Sequence, residues 1–342
     1  MQCTLLIPHL FWPRDSLEKV SQDLSLPALA TLLARARVDR HPAVTRDAWL
    51  CQAFEVERQQ DWPVAPLTFN LDADEPGDAY CLRADPIHIK VSREGLHVVD
   101  SAVFDVGEDE AQALVAALNT HFADAITFVA PHPKRWYVKP ARAPDLATHT
   151  ISEVAGGDVQ HYLPSGADAP AWRALFNESQ MVLHEHAINQ ARESRGEPEI
   201  NSVWFWGGGI RPSVPGRHFN AVWSDDPLAC ALGTLADARS ESVPTSGAAW
   251  LAAARSPARE SHLVMLDQLN TAVTYNDSDA WRTRLSELDA TWFAGLLAAL
   301  RHGDMKRLTL VTLGEQASCR FTVTRFDLFK LWRRPQPLWV YA

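Results

Sequence analysis

The chain has 342 residues and a mass of 38.0 kDa, more than one average domain needs. Its 46% hydrophobic and 22% charged content is that of a globular protein and excludes a disordered chain. With 32 basic and 42 acidic residues the formal charge is −10, which argues against nucleic acid and anionic membranes as partners, since both need a basic footprint.

Leu5-Leu6-Ile7 is a short apolar run stopped by Pro8 and predicts a buried first strand. Pro27 to Arg35 predicts a helix with proline in its first turn. Asp61 to Gly77 carries Pro63, Pro66, Pro76 and Gly77, a turn-rich stretch and a plausible domain crossing. Ile87–Val91 and Leu96–Val99 predict a hairpin around Glu94-Gly95. Glu108 to Phe122 has apolar residues at helical spacing behind an acidic first turn. Ile126–Phe128 and Trp136–Val138 predict two more strands, so residues 81–140 form a compact α+β unit. The run Lys134 to Lys139 could bind an anion, but a solvated strand edge is the reading preferred.

Trp172 to Ser194 predicts one long helix, closed by Gly196 and Pro198, with Trp172, Leu175, Phe176, Val182, Leu183 and His186 on one stripe. Strands follow at Val203–Trp206, Ala221–Trp223, Leu263–Leu266 and Leu308–Val311. Ser224-Asp225-Asp226-Pro227 supplies a cap for a helix reaching about Ala236. Leu285 to Leu300 is amphipathic. This alternation predicts an α/β fold, a mostly parallel sheet with helices on both faces. The expected division is residues 1–80 as the first part of the core, 81–165 as an inserted α+β lid, and 166–342 as the rest of the core.

The densest chemical constellation lies between Phe176 and Arg211. Three consecutive glycines after a strand allow close approach of a ligand to the backbone and can aim N–H groups at an anion. The candidate ligand-binding residues are His184, Asn189, Asn201, Trp204, Trp206, Gly207, Gly208, Gly209 and Arg211. A plain turn beside a filled core is the competing reading. His184 and His186 point about 200° apart on a helix and cannot share a metal ion. His186 is expected to be a hydrogen-bonded core histidine. Cys3, Cys51, Cys81, Cys230 and Cys319 are odd in number and contain no CxxC pair, which speaks against a zinc ribbon or a disulfide framework. The opening residues lack a basic leader, and no run approaches the roughly 20 apolar residues of a membrane span. A cytoplasmic protein is expected.

The stretch from Asn177 through His184-Glu185-His186-Ala187-Ile188-Asn189 to Trp204-Phe205-Trp206-Gly207-Gly208-Gly209 resembles the bacterial RpfE-type regulatory proteins. Leu26-Pro27-Ala28-Leu29, Arg83 to His88 and Arg135-Trp136-Tyr137 belong to the same likeness. Around 177–209 the sequence is also similar to the archaeal-type cofactor-independent phosphoglycerate mutases. That resemblance implies an alkaline-phosphatase-like core with an inserted lid, two divalent metals and a nucleophilic serine. Where it implies Asp-Gly after the first strand, this chain has Pro8-His9-Leu10. Where it implies ligand-rich segments, the chain has Asp267 to Ala272 and Gly314-Glu315. No metal ligands, cofactor or catalytic residues are therefore assigned. The leading expectation is a non-catalytic, regulatory or ligand-sensing relative that binds a small anion or a protein partner. The alternatives are a metal-dependent phosphoryl-transfer enzyme using manganese or zinc with unusual ligands such as His9, Asp267 and Glu315, or a structural protein.

Overall fold

A computed structural model describes all residues except 74–78, 94, 124–125, 217 and 255–259. The turn positions Pro76, Gly77 and Glu94 lie outside the described residues. The chain divides into two units, Met1–Phe54 with Pro215–Ala342, and Glu55–Val214.

The first unit begins with β1 (Gln2–Leu6), followed by α1 (Arg14–Val20), α2 (Pro27–Arg35), β2 (Arg37–Pro42) and α3 (Arg46–Ala53). Pro27 stands in the first turn of α2, where a missing N–H costs nothing. Thr45 caps α3 by accepting from the Ala48 N–H at 3.2 Å.

The chain then enters the second unit through α4 (Val64–Asp72), β3 (Cys81–Val91), β4 (Leu96–Asp100), α5 (Glu108–Phe122), β5 (Ile126–His132) and β6 (Arg135–Pro140). It continues with α6 (Ile151–Val154), α7 (Ala169–His184), α8 (Ala187–Ser194) and β7 (Ser202–Gly209). These strands form an antiparallel sheet in which β3 pairs with β4, β6 and β7, and β6 pairs with β5. The crossings between units therefore fall beside Phe54 and Pro215, not at residues 80 and 165. The reason is β7, which runs along β3 from Cys81 to Ile87 and carries α4 and α7 into the same unit.

The expected single helix over 172–194 is two helices. The backbone leaves the helical region at His186 (ψ 138°), whose Nδ1 accepts from the Ile188 N–H at 3.2 Å and caps α8. His186 is thus a half-buried cap rather than a core histidine. Nor is Lys134–Lys139 an edge: β6 lies between β3 and β5.

The return to the first unit brings β8 (Ala221–Trp223), α9 (Pro227–Leu235), β9 (Arg239–Glu241), α10 (Gly247–Ala253), β10 (Ser261–Met265), α11 (Asn270–Thr274), α12 (Ser278–Leu288), α13 (Ala294–His302), β11 (Arg307–Leu313) and β12 (Ala317–Thr324). A π-helical turn at Asp289–Phe293 joins α12 to α13. The seven strands take the order β2-β12-β11-β1-β10-β8-β9. Neighbours from β11 to β9 are parallel, and β12 is antiparallel to both strands beside it. The sheet is thus largely parallel, as the alternation of elements predicts. One face, with Leu5, Leu308, Leu310, Phe321 and Val323, is buried under Leu29, Leu32, Trp281, Phe293 and Leu296. Asp289, in the π turn, accepts from the Ala28 and Leu29 N–H groups at 3.3 and 2.6 Å and satisfies the first turn of α2. No helix among the described residues is long and apolar enough to cross a membrane.

Candidate active site

The parallel strands of the first unit all end on one side. In open α/β sheets that is where ligands bind, because loops and helix starts converge there. After β1 the chain turns at His9, whose φ of 59° lies in the left-handed region. A side chain rarely adopts that conformation unless its surroundings hold it there. His9 is held by its N–H on the Leu313 carbonyl (3.2 Å) and by its own carbonyl, which accepts from the Trp281 indole at 3.1 Å. After β8 come Ser224, Asp225 and Asp226. Asp226 caps α9 through the Ala229 N–H at 2.9 Å. After β10 comes Asp267, open to solvent.

The first turn of α3 supplies Arg46 and Asp47. The Arg46 Nε donates to Asp47 Oδ1 at 2.9 Å, and Nη1 lies 3.4 Å from Asp226 Oδ2. The two carboxylates are buried, at 1% and 5% side-chain exposure, whereas Arg46 keeps 22%. A cation placed between buried carboxylates offsets their desolvation, and one side of it remains accessible. Burial opposes the charge on Arg46, but Asp47, Asp226 and Asp267 together hold its proton more tightly than usual.

Two groups titrate abnormally beside it. Burial, reinforced by Arg46, lowers the His9 pKa to about 4, so its imidazole is neutral at pH 7 and can accept a proton or a hydrogen bond. Although Asp267 is exposed as a residue, the walls of the strand ends strip part of its hydration, and with the Asp226 charge this raises its pKa, Arg46 pulling the other way. A carboxyl group shifted upward is suited to holding a proton closer to neutrality.

These groups do not make a metal centre. A catalytic zinc site uses three protein ligands. Among the described residues, no three His, Cys, Asp or Glu side chains come together to hold an ion. His9, Asp267 and Glu315 follow β1, β10 and β11 but form no such trio. Asp47 and Asp226 face a guanidinium. The donor set does not fit the metal pair implied by the resemblance.

The residues expected to bind a ligand around 184–211 lie in the second unit, mostly within its packing. Asn189 is 1% exposed and fully engaged, donating to the Leu183 and Ile200 carbonyls and accepting from the Ile200 N–H. Asn201 pins Ile89 through both backbone groups. The Trp204 indole donates to the His149 carbonyl, and the Trp206 indole to Asp85. Gly207 to Gly209 are not a loop but the buried end of β7. A Cβ on Gly208 would meet the Tyr80 hydroxyl at 2.3 Å, and one on Gly209 the Pro63 Cβ at 2.7 Å. The glycines thus make room for protein atoms. His184 is exposed, 3.8 Å from Glu199, and Arg211 is exposed. The structure gathers Asn189, Asn201 and the two tryptophans around β3 and β7, and leaves His184 and Arg211 outside that packing.

No family model matches the chain. A 2,3-bisphosphoglycerate-independent phosphoglycerate mutase 2 of Methanothermobacter thermautotrophicus is 31% identical over 120 residues, 34% of this chain and 30% of that relative. A mutase of the same name from Methanothrix thermoacetophila is 33% identical over 97 residues, 27% of this chain and 25% of the relative. The chain thus matches less than a third of the length of these curated relatives. The cofactor-independent phosphoglycerate mutase of Thermoplasma acidophilum superposes with a TM-score of 0.52 at 14% identity, over 100% of this chain and 95% of that one. A Pyrococcus horikoshii protein gives 0.58 at 10%, over 94% and 87%. The fold is that of the cofactor-independent phosphoglycerate mutases, consistent with an alkaline-phosphatase-like core. The expectation of a non-catalytic regulatory protein is corrected by these findings. The relatives carry enzyme names, and a Probable 2,3-bisphosphoglycerate-independent phosphoglycerate mutase of Geobacter sulfurreducens is among them.

Proposed function

We propose that this chain is a phosphoryl-transfer enzyme of the phosphoglycerate mutase type, acting at the strand ends of its first unit. The observation that carries the reading is the convergence of His9, Arg46, Asp47, Asp226 and Asp267 there, in a fold shared with such mutases. The names of the curated relatives support the substrate class. In this reading Arg46 offers its remaining N–H groups to a phosphoryl oxygen, as a planar guanidinium does well. Asp267 holds or releases a proton at the reacting oxygen, and neutral His9 accepts one. No step is assigned to a metal, because the donor set does not fit one.

The test is interconversion of 2- and 3-phosphoglycerate by the full chain, with chelator and separately with manganese or zinc. Turnover of about 1 s⁻¹ or faster, the low end of common enzyme rates, is expected. It should fall about 100-fold in Asp267→Asn. Folded protein with no turnover in any of these conditions overturns the reading.

A further inference from the structure

The second face of the seven-stranded sheet carries a feature that phosphoryl transfer at the strand ends does not use. Side chains alternate between the faces of a strand, so on β1, β11 and β12 every second residue points away from the buried face just described. At the C-terminal ends of β1 and β11 this second face is apolar, with Leu6, Val311 and Leu313 buried, but over the rest of those strands and across β12 and β2 it is polar. Thr4 pairs with Thr309, Thr309 with Thr322, and Thr322 with Arg37, which makes one row across four strands. Gln2 and Arg307 form the adjacent row on one side, and Arg320 with Asp39 the row on the other. A largely parallel sheet is normally apolar and covered on both faces. Here these residues instead line an open cavity of about 530 Å³, walled by Trp49, Ala53, His218 and Phe219.

The charge of this cavity is opposite to that of the chain. Arg37, Arg307 and Arg320 face it with Asp39 as the only carboxylate in its lining among the described residues, in a protein of net charge −10. Arg37 is paired with Asp39 at 3.2 Å. Arg307 and Arg320 make no ion pair among the described residues. Two uncommitted guanidiniums and three threonine hydroxyls on a stiff sheet are donors without a matching acceptor, the arrangement that recognises phosphate oxygens.

We propose that this sheet face is a second anion-binding site, for a small molecule bearing two linked phosphate groups, held by Arg307, Arg320 and the threonine row. The spread of donors over adjacent strands, with an arginine on each side of the row, fits an extended diphosphate better than a single phosphate. Site and active centre lie on different residues, so occupancy here is separable from turnover.

Calorimetric titration of the full chain with pyrophosphate, and with inorganic phosphate, tests the proposal. Pyrophosphate is expected to bind with a Kd below about 1 mM at low salt, at least about tenfold tighter than phosphate, and more weakly as salt rises. Arg307→Gln with Arg320→Gln should weaken it at least about tenfold, with the circular dichroism spectrum and mutase turnover unchanged. Asp267→Asn should leave it intact. Absence of binding by the wild-type chain, or binding that survives the double substitution, overturns the site. So does a dimer that dissociates when Arg320 becomes glutamine, since the face would then belong to a second copy of this chain.

Discussion

Each unit of this molecule buries arginine against aspartate, and the two clusters have opposite surroundings. In the second unit Arg83 donates to Asp85 through Nε and Nη2 at 2.9 and 2.6 Å and lies over the rings of Tyr137 and Trp206. Asp85 also accepts from the Trp206 indole. Nearby Asp72 takes Arg135 at 2.7 and 2.5 Å and the Tyr137 hydroxyl at 2.6 Å. Burial works to raise the Asp72 pKa, but these bonds outweigh it and hold the group below the usual carboxylate range. The network is closed on itself between β3, β6 and β7. In the first unit the Arg46 cluster sits at strand ends, with Arg46 partly open, Asp267 exposed and its pKa raised, and His9 in a left-handed conformation. The residue types are the same. Burial raises the Asp85 pKa as well, so the upward shift of an acid does not separate the clusters; openness and backbone strain mark the strand-end arrangement as the one with chemistry left to do.

The largest effect is expected where the closed network loses its cation. Arg83→Met strands Asp85 with its charge uncompensated, and breaking a buried pair from one side costs about 3–5 kcal/mol. Urea unfolding should show that loss. A cost below about 1 kcal/mol would remove the contrast between the two clusters.

The next test separates them by readout. Asp267→Asn should lower turnover by about 100-fold, close to 2.7 kcal/mol of barrier. Its stability should hold, because a carboxyl whose folded pKa is raised gains nothing from being ionised in the native state. Equal losses in activity and melting temperature would make Asp267 a structural group like Asp85.

His9 gives the comparison a pH dependence. Its folded pKa of about 4 lies below the ordinary 6.5. Between these values the unfolded chain binds the proton and the folded one does not, so stability falls as pH drops from 6.5 toward 4. The fall attributable to His9 is on the order of 2 kcal/mol once partial exposure is allowed for. His9→Asn, which tolerates the left-handed backbone, should flatten that part of the pH profile of the melting temperature. An unchanged slope would place the His9 ring in water.

The sequence discloses the strand and helix rhythm of the first unit well, because Leu5–Ile7, Leu263–Leu266 and Leu308–Val311 are apolar enough to be fully buried strands. It hides β2 and β12, whose outward residues include Arg37, Arg320 and Thr322 and so dilute the apolar signal. Asp226 is legible as a helix cap, and its partnership with Arg46 is not, because 180 positions separate them and only the sheet order joins them. The one available signal was local: Arg46-Asp47 directly after a capping Thr45. The aromatic and glycine density at 204–209 misdirects the site reading, since close packing and ligand approach both call for glycine.

That last ambiguity supports the smallest test. If Gly208 makes room for Tyr80, then Gly208→Ala crowds a hydroxyl that the glycine leaves in place, at a cost of about 1–2 kcal/mol from overpacking alone. Arg211 is exposed and makes no ion pair among the described residues, so Arg211→Ala should change stability by less than about 0.5 kcal/mol. Turnover should also survive Arg211→Ala, since no group of the strand-end cluster belongs to the second unit. A melting temperature that moves for Gly208→Ala and stays for Arg211→Ala fits a packed strand. Loss of turnover with Arg211→Ala at constant stability would move function into the second unit and reverse the contrast between the two arginine clusters.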